Sequence, residues 1–337
     1  MPSVQSKEIL KGPPFAPALP HVVVLGAGAS KAAFPQGDKN GKLIPIMDEL
    51  PDVLGKPWEN LVNQSKPPVQ GFEAQFSWLR QIESYSSELR HIEALISEYF
   101  RDLALPDHPT IYDYLVLGLR PKDVIATFNW DPFLMLSHRR NRAVAELPDV
   151  RFLHGSVAYA TCVDHDILGS RDEMCPHCHR ELVHSTLFFP DDDKDYAANA
   201  LVQRDWDYVA KKLKRAFHLT IFGYSGPQTD YKAKQLLLEA WSATGMQSVS
   251  HVEIIDVKDE SDLREHWRDF IPFHHDMITP NFWSSTIARW PRRTAEYKIR
   301  VSHYGIPSEY LGPFRSESLR ELQDWHSEIA ATEKQSG

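Results

Sequence analysis

The segment His21-Val-Val-Val-Leu25 runs directly into Gly26-Ala27-Gly28-Ala29-Ser30. A short β-branched apolar run that stops at a glycine turn is the pattern of a strand buried on both faces, and such strands belong to parallel sheets covered by helices. Asp123-Val-Ile-Ala-Thr127 reads as another short buried strand, and further strands are suggested at Val150–Leu153, Leu219–Phe222 and Val252–Ile255, with helical patterns at 205–217 and 230–243. Leu89, Ile92, Leu95, Ile96, Tyr99, Phe100 and Leu103 repeat at three- and four-residue spacing, which predicts one strong amphipathic helix between about Ser84 and Leu105. Thr110, after Pro109, is placed to cap a second helix reaching Leu119. Strand and helix alternate, so the expected class is α/β with a parallel sheet.

The remaining segments set the domain plan. Residues 1–20 contain five prolines and read as an extended arm. Residues 31–68 are dense in Gly, Pro, Asn and Asp and read as a long irregular excursion with room for one helix. The tail from Asp262 reads as helix and loop, with a mixed-charge helix near Glu317–Glu328. The plan is therefore an arm over 1–20, a main domain over 21–260 with an insertion at about 38–120 and a small module at about 156–184, and an extension over 261–337. The run Asp191-Asp192-Asp193-Lys194-Asp195 reads as a solvated loop, and Arg289, Arg292 and Arg293 around Trp290 as a partner surface.

Lys plus Arg is 37 and Asp plus Glu is 46 among 337 residues, a net charge of −9, and 42% of the chain is hydrophobic. That composition excludes wholesale disorder and lacks the basic footprint of a phosphate-backbone binder, so nucleic acid is not expected as a direct ligand. The apolar runs fall far short of the ~18 residues of a membrane helix. The first 20 residues lack the continuous apolar segment of a secretory signal, so the expected location is cytoplasmic.

Four strand ends carry candidate chemistry. Gly26-x-Gly28 lets backbone approach a pyrophosphate. Lys31 stands where a third glycine would complete the dehydrogenase pattern, and Asp48 and Glu49, at ribose-binding distance in sequence, lie between Pro45 and Pro51. Hydride transfer is therefore disfavoured, and a tight turn without a ligand stays open. Thr127-Phe128-Asn129-Trp130-Asp131 sets an amide and a carboxylate at a strand's C-terminal end, where open α/β sheets bind ligands, although Asp131 before Pro132 is equally suited to cap a helix. His154, in Phe152-Leu-His-Gly-Ser156, ends another run and is suited to general-base work; simple structural hydrogen bonding is the alternative. Gly223-Tyr224-Ser225-Gly226 follows a fourth strand, but Pro227 stands where a nucleophile elbow needs glycine, which counts against a serine hydrolase completed by Asp256 and His266 or His274.

The three cysteines fall within 17 residues, as Cys162-x-x-His165, nine residues, then Cys175-Pro-His-Cys178. An odd, crowded set argues against a disulfide framework, and two x₂ knuckles suit a closed tetrahedral zinc of structural type. His165 is the expected fourth ligand, with His177 and His179 as alternatives.

Taken in order, Gly26-Ala-Gly-Ala-Ser30, Thr127-Phe-Asn-Trp-Asp131, Leu153-His-Gly155, the Cys/His cluster, Phe188-Phe189, Gly223-Tyr-Ser225 and Ile254-Ile-Asp256 resemble the sirtuin family over about residues 21–260. The resemblance implies a Rossmann-like NAD domain carrying an inserted zinc ribbon and a helical insertion. It places Gly26, Ala27, Gly28 and Ser30 at the NAD phosphates, and Gly223, Ser225 and Asp256 on the adenosine side. Asn129 falls at the nicotinamide ribose, Asp131 at the carboxamide, and His154 is the general base. Phe128 stands where the family has glutamine, Phe34-Pro-Gln-Gly37 replaces its Pro-Asp-Phe-Arg stretch, and Phe188-Phe-Pro-Asp191 replaces its substrate-loop pattern. Each departure touches acyl-lysine handling or the nicotinamide pocket. The pattern is most similar to divergent bacterial sirtuin-like domains, many of them NAD-hydrolysing defence effectors.

The expectation is thus an NAD-consuming glycohydrolase with Asn129 and His154 as the essential pair, NAD as substrate and Zn²⁺ as structural metal. An NAD-dependent protein deacylase or ADP-ribosyltransferase is the alternative, and a non-catalytic NAD or ADP-ribose sensor the alternative of another class. A protein activator and self-association are both compatible with this expectation; a membrane partner is not.

Overall fold

The computed structural model describes residues 19–162, 164–165, 167–169, 173–191, 195–243, 250–271, 275–304, 312 and 314–334. The expected arm, apart from its last two residues, lies outside them, as do His274 and residues 192–194 of the acidic run.

In chain order the elements begin with β1 (His21–Leu25) and α1 (Ala27–Ala33), then α2 (Leu50–Leu54), α3 (Lys56–Ser65), α4 (Phe72–Arg80), α5 (Ser86–Arg101) and α6 (Ile111–Leu117). There follow β2 (Val124–Thr127), α7 (Phe133–Asn141), β3 (Asp149–Phe152), and the short β4 (Ala160–Thr161), β5 (Leu168–Gly169) and β6 (Val183–His184). The chain continues through α8 (Ala200–Leu213), β7 (His218–Phe222), α9 (Tyr231–Ser242), β8 (His251–Ile255), α10 (Glu260–His266) and β9 (Asp276–Thr279), and ends with α11 (Thr286–Arg289), α12 (Thr294–Tyr304) and α13 (Leu319–Lys334).

Six strands form one parallel sheet in the order β3-β2-β1-β7-β8-β9. This is a Rossmann-like α/β architecture. Alternate residues of each strand feed two cores, because successive side chains leave opposite faces of a sheet. Val23, Leu25, Ile125 and Phe222 join Trp58, Phe76, Ile92 and Tyr112 on one face. Val22, Val24, Ala126 and Ile221 join Val209, Leu213, Leu237 and Trp241 on the other. The sequence order reverses between β1 and β7, the switch point at which such sheets bind ligands.

Three expectations need correction. The excursion over 31–68 is largely helical: Pro51 and Pro57 lie in the first turns of α2 and α3, where proline starts a helix, and Trp58 and Leu61 turn the buried face of α3 inward. The tail is not an appendage of helix and loop only, since β9 pairs with β8 and extends the main sheet past residue 260. Arg292 and Arg293 are buried, not a docking face. Arg292 makes a two-pronged bond to Glu333 of α13 at 2.8 and 2.9 Å and donates to the Leu119 carbonyl at 2.9 Å, tying the end of the chain to the core.

Candidate functional site

The register aligns Leu25, Thr127, Phe152, Phe222 and Ile255 in one row across β1, β2, β3, β7 and β8. Every residue expected at NAD or in catalysis follows within five residues: Gly26–Ser30 after β1, Asn129 and Asp131 after β2, His154 after β3, Gly223 and Ser225 after β7, and Asp256 after β8. Residues 230 positions apart in sequence thus share the C-terminal edge of one sheet.

At the switch point two turns touch backbone to backbone. Gly26 N–H donates to Phe222 O at 3.0 Å and Gly28 N–H to Gly223 O at 2.9 Å. A Cβ at Gly26 would lie 2.5 Å from Gly223 O, and one at Gly223, whose φ is +59°, would lie 2.2 Å from Ala29 N. The glycines are required by this close approach, and the amides of Gly26 and Gly28 are committed to it. Ser225 is exposed and Asp256 half-buried, its carboxylate accepting from Lys258 N–H at 3.0 Å.

Behind the β1 turn lies a buried polar network. Ser30 Oγ donates to Asp131 Oδ2 at 2.6 Å and lies 2.6 Å from the Tyr112 hydroxyl. Asn129 Nδ2 donates to Gly26 O at 2.9 Å, Ser30 Oγ at 2.9 Å and Tyr112 Oη at 3.1 Å. Gly26 O can only accept, which fixes the orientation of the amide. Asp131 Oδ1 also accepts from Phe133 N–H at 3.1 Å, but α7 takes Pro132, not Asp131, as its N-cap residue, so Asp131, the expected cap, stands one position before it. Burial pushes the Asp131 carboxyl up to about 6 and the Tyr112 phenol well above its ordinary value.

His154 belongs to a second cluster, among the side chains of the opposite core. Its Nε2 lies 2.9 Å from the Tyr196 hydroxyl and 3.7 Å from Asp230 Oδ1, and the Tyr224 hydroxyl donates to Asp230 Oδ2 at 3.2 Å. The Phe128 ring stacks on Tyr224 at 4.2 Å and meets His154 edge-on at 4.7 Å. Asn129 and His154 therefore sit on neighbouring strand ends but in different hydrogen-bonded clusters. Asn129, Asp131 and His154 are only 8, 4 and 5% exposed. Sequence reading missed Tyr112, Tyr196 and Asp230. Each lies in or beside a helix and outside the strand-end motifs, Asp230 five residues past Ser225, and Thr110, two positions before Tyr112, is the nearest marked residue to that tyrosine.

The metal candidates converge. The ligand atoms of Cys162, His165, Cys175 and Cys178 lie within 4.8 Å of one another. Cys162 Sγ is 3.3 Å from His165 Nδ1 and 3.6 Å from Cys178 Sγ, and Cys175 Sγ is 3.5 Å from His165 Nδ1. A tetrahedral zinc with bonds of ~2.0–2.3 Å spaces its ligands by roughly 3.3–3.8 Å, so this donor set fits. The antiparallel sheet β5-β4-β6 frames it, and His179, at φ +54°, closes the second knuckle with its N–H donating to Cys175 O at 2.9 Å. His165, not His177 or His179, occupies the fourth position.

No family model and no curated protein matches the chain. Among solved structures it is similar to a Sir2 crystal structure containing an inhibitor, 2′-O-acetyl-ADP-ribose and a deacetylated p53 peptide, at 15% identity and TM-score 0.40 over 85% of this chain and 94% of that one. It is also similar to a Sir2 homologue bound to NAD, at 12% identity and TM-score 0.36 over 90% and 95% of the two chains. Likeness at that level is one of outline and fixes no residue of this chain.

Proposed function

We propose that the chain is a sirtuin-like, NAD-consuming enzyme that cleaves the N-glycosidic bond to nicotinamide, acting as an NAD glycohydrolase. The observation that carries this reading is the arrival of five sirtuin-type segments, in family order, on one sheet edge around the β1/β7 switch point. In the reaction the C1′–N bond of the nicotinamide ribose breaks, water adds its oxygen to C1′, and nicotinamide and ADP-ribose leave. The oxocarbenium-like transition state gathers positive charge, which a carboxylate and an oriented amide oxygen stabilise. Asp131 and Asn129 supply those groups, and His154 takes the proton of the attacking water. Gly223, Ser225 and Asp256 receive the adenosine half. The first turn, Gly26 to Ser30, flanks the phosphates through its shape, since two of its amides are engaged.

Hydrolysis is favoured over acyl transfer by the state of the Phe-Phe segment. Phe189 is buried against Phe76 of α4 at 5.8 Å and Trp130 at 5.0 Å, and Asp191 pairs with Arg80 at 3.7 Å. The chain's own insertion thus covers what an acylated peptide would use. A cleft of about 710 Å³ between α5 and residues 184–189 keeps protein deacylation or ADP-ribosylation as the second reading. Nicotinamide release from NAD alone tests the proposal: Asn129→Ala and His154→Ala are each expected to lower it by roughly 10²-fold or more. Release unchanged in both variants overturns it, and a sensor that binds without cleaving is indifferent to His154.

A further inference from the structure

Tyr112 lies outside every sequence motif and inside the network that joins two of them. Its side chain is fully buried, with the Phe34 ring edge-on at 5.9 Å. The direction of its bonds follows from its partners. Ser30 spends its only proton on the Asp131 carboxylate, so its oxygen accepts from the Tyr112 phenol. The phenol oxygen then accepts from Asn129 Nδ2, whose two hydrogens are shared among Gly26 O, Ser30 Oγ and Tyr112 Oη. One hydroxyl thereby bonds both the Ser30 hydroxyl and the Asn129 amide, adding a third anchor to each.

The element that presents this phenol is itself clamped on both sides of residue 112. Thr110 and Asp113 form a capping box at the start of α6, with Thr110 N–H donating to Asp113 Oδ2 at 2.7 Å. Asp113 Oδ1 accepts from Arg140 Nε at 2.6 Å and Asn141 Nδ2 at 2.8 Å, both on α7. Asn141 Oδ1 accepts from Gln323 Nε2 of α13 at 3.0 Å, and the Tyr114 hydroxyl accepts from Ser316 N–H at 2.8 Å. These bonds hold the start of α6 against α7 and α13, a rigid element of the kind suited to presenting one hydroxyl at a fixed place.

Resting on the glycohydrolase reading, we infer that Tyr112 is a positioning residue of the reaction: it touches no reacting atom and orients Asn129 and Ser30 from helix α6. Tyr112→Phe deletes one oxygen and keeps the ring. The kcat for nicotinamide release is expected to fall on the order of 10- to 100-fold with KM within about twofold, because misplacement of a group acting in the transition state lowers turnover, not ground-state binding. The side-chain amide resonances of Asn129, assigned with Asn129→Ala, are expected to shift and to exchange faster with solvent. A wild-type kcat, or Asn129 resonances that do not move, overturns the assignment. A wild-type protein that releases no nicotinamide overturns the glycohydrolase reading instead, and the Asn129 resonances then decide the positioning role alone. Should Tyr112→Phe not fold, difluorotyrosine placed at 112 keeps shape and alters only the phenol, and the same resonances must move.

Discussion

Asp131 ties stability to pH. Burial raises its carboxyl to about 6, above the ordinary value near 4 that it takes in the unfolded chain. The raised group favours folding in full below about pH 4, and that contribution is lost as pH rises through about 6. At pH 7 the buried, ionised carboxylate therefore costs on the order of 3 kcal/mol relative to pH 4. Asp131→Asn removes the titration. Urea unfolding should show the variant gaining on wild type between pH 4 and pH 7 while nicotinamide release is lost; a difference in stability that is the same at both pH values contradicts this. The strand-end placement of Asn129, Asp131 and His154 is legible in the sequence because each follows an apolar run, a position that both period and turn chemistry mark. Tyr112 and Asp230 are not, since no local pattern distinguishes a buried polar group from a surface one until the fold brings its partners to it.

At the scale of elements, the four site-bearing strands after β1 lie within one residue of their expected bounds, because apolar residues either cluster, as in β2 and β7, or alternate, as Val150 and Phe152 do in β3. Two kinds of element escaped. The apolar residues of β9 are only Met277 and Ile278, side by side between Asp276 and Thr279, which gives neither alternation nor an apolar run. The prolines near 51 and 57 punctuate the sequence like a loop, although each opens a helix. The Cys/His cluster was legible from spacing alone, and the fold adds which histidine completes it. The purified chain is expected to carry a single zinc ion, which on the order of 10 kcal/mol of binding energy couples to local folding. Chelation should strip amide protection from β4, β5 and β6 while β1, β2, β7 and β8 keep theirs. A metal-free chain with β4–β6 still protected would contradict the zinc assignment.

On the scale of the whole molecule, one edge of a sheet gathers the candidate chemistry and the rest of the chain encloses it. The insertion from α2 to α5 packs Trp58, Phe76 and Ile92 over one face, α8 to α10 cover the other, and α13 locks the tail through Arg292 and Glu333. Asn129, Asp131 and His154 are nearly closed from solvent, so the proposed reaction requires this cover to open for NAD to reach them. The location of the edge follows from topology, which strand order alone decides and which a linear sequence expresses only through motifs repeated at its strand ends. On the proposed glycohydrolase reading, the buried Phe189, packed against Phe76 and Trp130, leaves turnover independent of any peptide. The decisive measurement is the product spectrum, by chromatography, of the wild-type chain given NAD with and without an acetylated peptide. Nicotinamide and free ADP-ribose in equal amounts, at a rate the peptide does not change, is the expected result. Release that requires the peptide and yields acetylated ADP-ribose would contradict it.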